Sequence, residues 1–199
     1  MENRFLVPVR RQAPLFVAQA VFPDNTIGTT ELFKMRGKYV VLLFYPMDFS
    51  AVCPTEIIAF DKKREDFEER NAVIWAVSTD SVNSHLAWKQ QNIRSGGVGR
   101  IGFPLLSDPT REISRSYGVL IDESVALRGV FIIDREGIVR HVSVNDLPLG
   151  RSVNEVLRSL DSLIFYEKHG EVCPANWMRG DRGIMPTPEG IADYLSKFS

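Results

Sequence analysis

Three short runs of β-branched and aromatic residues dominate the hydrophobic pattern of the chain. These runs are Tyr39–Tyr45, Asn71–Thr79 and Ala126–Asp134. Runs of this length with few polar interruptions predict strands that are covered on both faces. Residues Gly137–Val144 follow the third run after the turn sequence Asp-Arg-Glu-Gly, and we expect them to pair with it as a hairpin. The pattern therefore predicts a sheet with a buried centre.

Segments with helical spacing of apolar residues alternate with these strands. In the clearest one apolar residues recur at i, i+3, i+4 and i+7, and Ser152 and Glu155 form a capping box at its start. The predicted helices are Pro54–Glu69, Ser81–Gln91, Arg151–Phe165 and Pro188–Lys197. Strand–helix–strand units followed by a hairpin and a closing helix predict an α/β fold, in which helices flank a mixed central sheet.

The two ends of the chain lack this regular pattern. Residues 1–38 are rich in Pro, Gly and Thr, and they are predicted to form loops and short strands around the core. Beyond Lys168 the pattern gives way to Cys-Pro, Gly and Pro-Thr-Pro before the last helix. We therefore predict a folded domain over residues 1–165 and a C-terminal arm over residues 166–199.

Composition and charge exclude several classes of partner. The chain has 199 residues, 44% of them hydrophobic, which suits one ordinary globular domain with an extension. Its formal net charge is −1 and the two signs are interleaved, so no basic patch for nucleic acid or an anionic membrane is expected. No stretch approaches the roughly eighteen apolar residues of a membrane span, and the N-terminus lacks an apolar signal core. We expect a cytoplasmic protein.

The cysteine and histidine content argues against a metal centre. Two cysteines are too few for a disulfide-stapled secreted fold, and also too few for a structural zinc site without help from histidine. The three histidines, His85, His141 and His169, are scattered, and none lies at ligand spacing from a cysteine. We predict no metal site.

The first cysteine lies where a buried strand is followed by a helix. Pro54 suits the first helical position, because the N–H that proline lacks is not needed there. Cys53 then lies at the helix N-terminus, where unpaired backbone donors favour a negative charge and hence a nucleophilic thiolate. Ser50 can direct its hydroxyl toward the sulfur, and Pro46 begins the turn that shapes the loop. The alternatives are a small buried hydrophobic cysteine and ordinary turn chemistry at Ser50.

A thiolate at Cys53 also needs cations from elsewhere in the chain. Glu56 lies one helical turn away and disfavours the thiolate if it is unpaired. Arg128 interrupts an apolar strand, so it needs a buried anionic partner. Arg151, just before a predicted helix cap, is a weaker candidate. The alternative for Arg128 is an ordinary structural ion pair.

Residues 44–56 resemble the peroxidatic motif of the typical two-cysteine peroxiredoxins, the family of alkyl hydroperoxide reductase C. The family pattern Pro-x-x-x-Thr/Ser-x-x-Cys is matched by Pro46, Ser50 and Cys53. The resemblance continues along essentially the whole chain. Further matching segments are residues 77–81, 85–88, 104–108, 127–134, 148–155 and 171–177.

This resemblance implies a thioredoxin-like fold and the reduction of hydrogen peroxide and organic hydroperoxides. It implies that Cys53 is the peroxidatic nucleophile and becomes a sulfenic acid, while Ser50 and Arg128 hold the peroxide and stabilise charge on the leaving oxygen. Glu56 and Arg151 match a supporting network that orients the arginines.

Trp88 matches a position near the active site of the family, although packing of its helix explains it equally well. Cys173 matches the resolving cysteine, which in the family comes from the partner subunit of a homodimer, and dimers often assemble into rings such as decamers. Thioredoxin or another disulfide reductase then restores the thiols, and no cofactor is implied. Taken alone, Cys173 is also explained as an idle exposed thiol, and its spacing from Cys53 leaves open whether a disulfide forms within or between chains.

Two departures from the family pattern affect assembly and regulation. Ala51 stands where phenylalanine is common, which leaves the ring in question. Gly96–Gly99 and Tyr194-Leu195 resemble elements of peroxiredoxins prone to over-oxidation, which predicts sensitivity to excess peroxide. The leucine, which replaces the phenylalanine of that family element, weakens this prediction. The alternative is that Gly96–Gly99 is only a flexible loop.

Two other classes of function compete with the peroxidase. A holdase chaperone or redox-sensing scaffold predicts aggregation suppression that survives Cys53→Ser. A Cys/His acyl transferase predicts turnover without a reductant, but none of the three histidines lies in a recognisable motif.

Overall fold

The computed structural model describes residues 6–198, so the first five residues of the segment predicted from 1–38 lie outside the described part. The chain divides into two compact units, Met1–Val153 and Asn154–Ser199. The strands are β1 (Val17–Val21), β2 (Ile27–Glu31), β3 (Tyr39–Phe44), β4 (Ala72–Ser78), β5 (Leu105–Ser107), β6 (Leu120–Ile121), β7 (Val125–Ala126), β8 (Arg128–Ile133) and β9 (Val139–Asn145). The helices are α1 (Cys53–Lys62), α2 (Arg64–Glu68), α3 (Val82–Gln90), α4 (Glu112–Ser116), α5 (Val153–His169) and α6 (Pro188–Leu195). Short 3₁₀ turns occupy Leu32–Met35, Ile93–Ser95 and Ser196–Phe198.

The first unit is built on a seven-stranded mixed sheet in the order β2-β1-β5-β4-β3-β8-β9. The central strand β3 pairs in parallel with β4 and antiparallel with β8. Every residue of β3 and β8 is buried, as their apolar runs predict. The rings of Phe44, Tyr117 and Phe131 pack together with centroids 5.0 to 5.7 Å apart. The predicted α/β fold with a mixed central sheet is confirmed.

The predicted hairpin is formed by β8 and β9, which pair antiparallel at one edge of the sheet. In its turn, the Asp134 carboxylate accepts hydrogen bonds from the backbone N–H groups of Glu136 and Ile138. Gly137 has φ +76°, a conformation that favours glycine, and a Cβ there would meet the Arg36 guanidinium. Turn chemistry therefore determines where the chain reverses.

Two predicted elements are interrupted in the structure. The predicted helix Pro54–Glu69 is wrong as a single element, because the backbone leaves helical geometry at Lys63 and restarts as α2. Phe60 and Phe67 both remain fully buried across the break, with ring centroids 6.0 Å apart. One continuous helix and two short helices can both bury these rings, so the spacing of the apolar residues does not predict the break. The run Ala126–Asp134 also divides, into β7 and β8.

The second unit consists of most of α5, an irregular segment and α6. α5 extends to His169, so the boundary predicted after residue 165 lies inside this helix. Trp177 is buried, its ring lies 4.9 Å from that of Phe165, and its Nε1 donates to the carbonyl of Asp181. These contacts hold the irregular segment against α5. α6 begins at the predicted Pro188 with Thr187 as its N-cap.

Across residues 6–198, no helix is long and apolar enough to cross a membrane.

One lysine of the first unit is buried. The side chain of Lys89 in α3 is 3% exposed, and its Nζ donates to the carbonyl of Phe22. Burial lowers the pKa of Lys89 to about 8, and the carboxylates of Asp24 and Asp61 oppose this shift only in part. The unfolded chain keeps the proton up to a higher pH than the folded chain, so deprotonation relieves a cost of folding as the pH rises.

We expect the cost of burying Lys89 to decrease as the pH rises. Relative to Lys89→Met, the free energy of unfolding of the wild-type protein should rise by up to ~3 kcal/mol between pH 7.5 and pH 10.5. Urea denaturation at a series of pH values measures this difference. The matched control is Lys62→Met, which alters an exposed lysine of α1 and should give a flat difference. A flat difference for Lys89→Met as well would contradict the account.

Candidate active site

Cys53 is the first residue of α1, directly after the loop that follows β3. Val52 is the N-cap, and its carbonyl accepts hydrogen bonds from the N–H groups of Thr55 and Glu56. Pro54 occupies the second helical position, one later than predicted. The side chain of Cys53 is a free thiol with 0% of its surface exposed. The sulfur therefore lies at the positive end of a helix and out of bulk water.

Arg128 is the side chain that joins this sulfur to the rest of the site. It begins β8, at the end of a neighbouring strand, and is 3% exposed. Its Nη1 donates to Cys53 Sγ at 3.3 Å and to Glu56 Oε2 at 2.7 Å, while Nε donates to the Leu147 carbonyl at 2.6 Å. Three bonds to fixed partners leave the guanidinium little freedom. The predicted anionic partner of Arg128 is therefore Glu56, with the cysteine sulfur beside it.

Arg151 holds the other side of the same carboxylate. Its backbone N–H and its Nε each donate to Glu56 Oε1 at 2.8 Å, and its Nη2 donates to Oε2 at 3.0 Å. Its Nη1 donates to the carbonyls of Phe44 and Gly129, at 2.8 and 2.7 Å. Arg151 thus ties Glu56 to the ends of β3 and β8, which fixes the position of the carboxylate.

Glu56 is ionised in this setting. Burial raises the pKa of its carboxyl group, but the hydrogen bonds and charge of Arg151, together with the charge of Arg128, outweigh burial and hold the pKa below its ordinary value. Two guanidinium groups share this one carboxylate, and Nη1 of Arg128 also donates to the sulfur of Cys53. Glu56 is therefore paired with two buried arginines, and the unpaired carboxylate that would disfavour a thiolate is not present.

Ser50 and Pro46 lie in the loop between β3 and α1. Pro46 is buried. The hydroxyl of Ser50 donates to the Met47 carbonyl at 3.1 Å, so its proton is directed at the loop's own backbone in this structure. That bond is the turn chemistry considered as the alternative for Ser50.

Trp88 of α3 packs against the same loop. Its ring lies 5.8 Å from Tyr45 in a stacked arrangement and 6.1 Å from Phe49, and its Nε1 donates to the Gly96 carbonyl at 2.9 Å. Trp88 is a buried residue of its helix, and its ring partners belong to the segment before Cys53.

Sequence reasoning missed the polar side chains that hold this loop. Asp48 is buried, and its carboxylate accepts hydrogen bonds from Tyr45 and Ser84 and faces His85. Desolvation, followed by the charge of Asp48, raises the pKa of Tyr45 far above its ordinary value, so the phenol keeps its proton. The available signal was an aspartate inside a strand-to-helix loop.

Cys173 lies in the irregular segment of the second unit and is partly buried. Its Sγ donates to the carbonyl of Ser162 at 3.5 Å. Burial raises the pKa of Cys173, and the hydrogen bond at Ser162 and the charge of Arg158 offset this only in part. Cys173 is therefore a thiol at neutral pH. Within residues 6–198, no group of three or more His, Cys, Asp and Glu side chains could hold a metal ion.

Comparison with family models places this site in a known context. Residues 9–142, which include Cys53, Glu56 and Arg128, match the model of the AhpC/TSA family. The chain belongs to the AhpC/TSA family. Residues 162–197, which include Cys173, match the model described as the C-terminal domain of 1-Cys peroxiredoxin. The predicted relationship to peroxiredoxins is confirmed.

Curated members of the AhpC/TSA family are similar over nearly their whole length. Alkyl hydroperoxide reductase C of Helicobacter pylori is 49% identical over 96% of this chain and 98% of its own. Thioredoxin peroxidase of Echinococcus granulosus is 48% identical over 94% of this chain and 97% of its own.

A solved structure of the same family has the same fold. The reduced 2-Cys peroxiredoxin of Plasmodium vivax superposes with a TM-score of 0.93 at 51% identity, covering 94% of this chain and 98% of that one. The expected thioredoxin-like fold is confirmed by this match.

Proposed function

We propose that this chain is a thiol-dependent peroxidase that reduces hydrogen peroxide and organic hydroperoxides at Cys53. The observation that supports this most directly is the bond from Arg128 Nη1 to Cys53 Sγ, made by the same nitrogen that binds Glu56. A cation held between a carboxylate and a buried sulfur stabilises the thiolate, which is the form that attacks peroxides. The peroxidase activity of the family agrees with this chemistry.

The first step converts the thiolate into a sulfenic acid. Cys53 Sγ attacks one oxygen of the peroxide, the O–O bond breaks, and the sulfur is oxidised by two electrons. The other oxygen leaves with the electron pair of that bond and takes up a proton, giving water or an alcohol. Arg128 is well placed to donate to this oxygen as negative charge develops on it. We assign Ser50 a second contact to the peroxide, which requires its hydroxyl to turn away from the Met47 carbonyl.

The remaining residues of the site act through Arg128 and the loop. Glu56 and Arg151 hold the guanidinium of Arg128 in place by the buried bonds described above. Trp88 supports the loop by packing, and Pro46 shapes its first turn. We therefore regard these four as positioning residues.

The second step is a disulfide between Cys53 and Cys173. The sulfur of Cys173, once deprotonated, attacks the sulfenic sulfur, the S–S bond forms, and the sulfenic oxygen leaves as water. We propose that Cys173 comes from the partner subunit of a homodimer and that dimers can assemble into a decameric ring. Thioredoxin or another disulfide reductase then reduces the disulfide.

Two observations on relatives support these partners. Relatives named thioredoxin peroxidase support an enzyme that is linked to thioredoxin. A relative from Plasmodium yoelii, modified at its N-terminus, forms an artifactual octamer. This observation supports oligomerisation of the present chain, but it does not support any particular ring size.

A reducing compartment suits this cycle. The cycle needs a constant supply of dithiol reductant, which a reducing compartment provides. We propose the cytoplasm as the location.

Cys173→Ser separates the two steps. The variant should consume one equivalent of hydrogen peroxide per chain, form a sulfenic acid at Cys53 that dimedone traps, and then stop. Turnover supported by thioredoxin, its reductase and NADPH should fall at least ~100-fold, because no disulfide is available for reduction. The assay follows NADPH absorbance and peroxide loss in parallel. Wild-type turnover by Cys173→Ser in the thioredoxin assay would show that Cys173 is not the resolving cysteine.

A further inference from the structure

A buried polar cluster joins α3 to the catalytic loop, which we define as residues Tyr45–Val52. At its centre, the side chain of Asp48 is 1% exposed and that of His85 is 0% exposed. His85 Nδ1 lies 2.8 Å from Asp48 Oδ2 and 3.1 Å from Oδ1. Ser84 Oγ donates to Oδ2 at 2.8 Å, and Tyr45 Oη donates to Oδ1 at 2.9 Å. The carboxylate is therefore held from three directions by side chains of the protein.

His85 also connects this cluster to the central sheet. Its second ring nitrogen, Nε2, lies 3.1 Å from the Leu106 carbonyl of β5. The imidazole thus bridges a strand of the sheet and the catalytic loop. The backbone of Asp48 has its own anchor, because its N–H donates at 2.9 Å to Asp80 Oδ2, which Ser78 Oγ also binds at 2.7 Å.

The sulfur of Cys53 cannot form a disulfide from this position. A disulfide requires an S–S distance near ~2.05 Å and Cβ atoms within about 4.5 Å, whereas the side chain of Cys53 has no exposed surface. The catalytic loop or the first turn of α1 must therefore move before another thiol reaches Cys53. Asp48 lies five residues before Cys53, within the catalytic loop.

We propose that His85 is a positioning residue that restrains opening of the catalytic loop and so limits the rate of disulfide formation at Cys53. This inference rests on the proposed function, because it concerns the second step of that cycle. Opening the loop at Asp48 separates a buried carboxylate from its imidazole partner, and buried polar groups without partners are costly. The pair of Asp48 and His85 therefore favours the closed loop, in which the sulfur of Cys53 accepts a hydrogen bond from Arg128.

Two substitutions of His85 distinguish its two bonds. His85→Asn keeps a side-chain nitrogen near the position of Nδ1 and can still donate to Asp48. His85→Gln reaches toward the Leu106 carbonyl and loses the bond to Asp48. We expect His85→Gln to raise the single-turnover rate of disulfide formation roughly tenfold, and His85→Asn to stay within about threefold of wild type.

The experiment follows both steps in one stopped-flow trace. The ring of Trp88 stacks on Tyr45 and lies near Phe49, so its fluorescence should report departure of the catalytic loop. The rate of sulfenic acid formation is measured separately with dimedone. His85→Gln should raise the ratio of the disulfide rate to the sulfenic acid rate, whereas loss of stability alone would lower both. Asn83→Ala, an exposed position on the same helix, is the matched control and should leave this ratio unchanged.

A second variant keeps the proposal testable if His85→Gln does not fold. Ser84→Ala removes one hydroxyl from the same carboxylate, so it should raise the ratio in the same direction by about twofold to fivefold. An unchanged ratio in every folded variant that loses a bond to Asp48 would overturn the role of His85. Failure of wild-type protein to form any sulfenic acid at Cys53 would instead overturn the proposed function.

Discussion

Replacing Cys53 by serine should reduce peroxide consumption to the background rate of the buffer. A serine hydroxyl is a far weaker nucleophile than a thiolate, and removal of the nucleophile costs some enzymes on the order of 10⁶ in kcat. The expected result is a loss of at least ~10⁴-fold in the second-order rate constant for hydrogen peroxide. Stopped-flow competition against a peroxide-reactive dye measures this constant.

This substitution is informative because it changes little else. Serine is close in size to cysteine, so the fully buried site should keep its packing, and the bonds between Glu56 and its two arginines do not involve the sulfur. A melting temperature within a few degrees of wild type is the control. Peroxide consumption by folded Cys53→Ser at the wild-type rate would show that another group reacts with the peroxide.

Replacing Arg128 by methionine should slow the first step by about 10²-fold to 10³-fold. Loss of one preorganised donor to a developing oxyanion has an effect of this size in other enzymes. Here the loss is compounded, because Arg128 also supplies the positive charge beside Cys53 Sγ. Methionine retains the apolar stem of arginine, so packing around β8 should survive. The second-order rate constant for sulfenic acid formation is the measurement.

Two comparisons separate charge from stability at Arg128. Arg128→Met leaves Glu56 paired with Arg151, so the buried carboxylate keeps a cationic partner. Arg128→Lys restores one positive charge but cannot reproduce the bonds to Leu147, Glu56 and Cys53 together, so its rate should lie between those of Arg128→Met and wild type. A folded Arg128→Met protein with the wild-type rate constant would remove Arg128 from the proposed mechanism.

The parts of the fold that were predicted from the sequence are those with strong local signals. β3 and β8 are continuous apolar runs, the Asp-Arg-Glu-Gly turn defines the β8–β9 hairpin, and α5 follows a regular apolar period over several turns. The break at Lys63 had no proline or glycine to mark it, and its apolar residues fit one helix as well as two. The strand β5 was missed because it has only three residues.

The same holds for the site, where local features were predicted from the sequence and contacts between distant residues were not. A cysteine between a buried strand and a helix, and an arginine in an apolar run, were visible in the sequence. Their direct contact joins residues 75 positions apart, which no local pattern contains. The bond between Asp48 and His85 was missed because each residue alone resembles an ordinary surface or structural side chain.

The most direct test of the account is intact mass under non-reducing conditions, recorded after one equivalent of hydrogen peroxide is added to the fully reduced protein. The account predicts a covalent dimer linked between Cys53 and Cys173, which neither Cys53→Ser nor Cys173→Ser forms. A monomer that has lost two hydrogens would place the disulfide within one chain and contradict the proposed role of the partner subunit. A monomer of unchanged mass would contradict the peroxidase cycle itself.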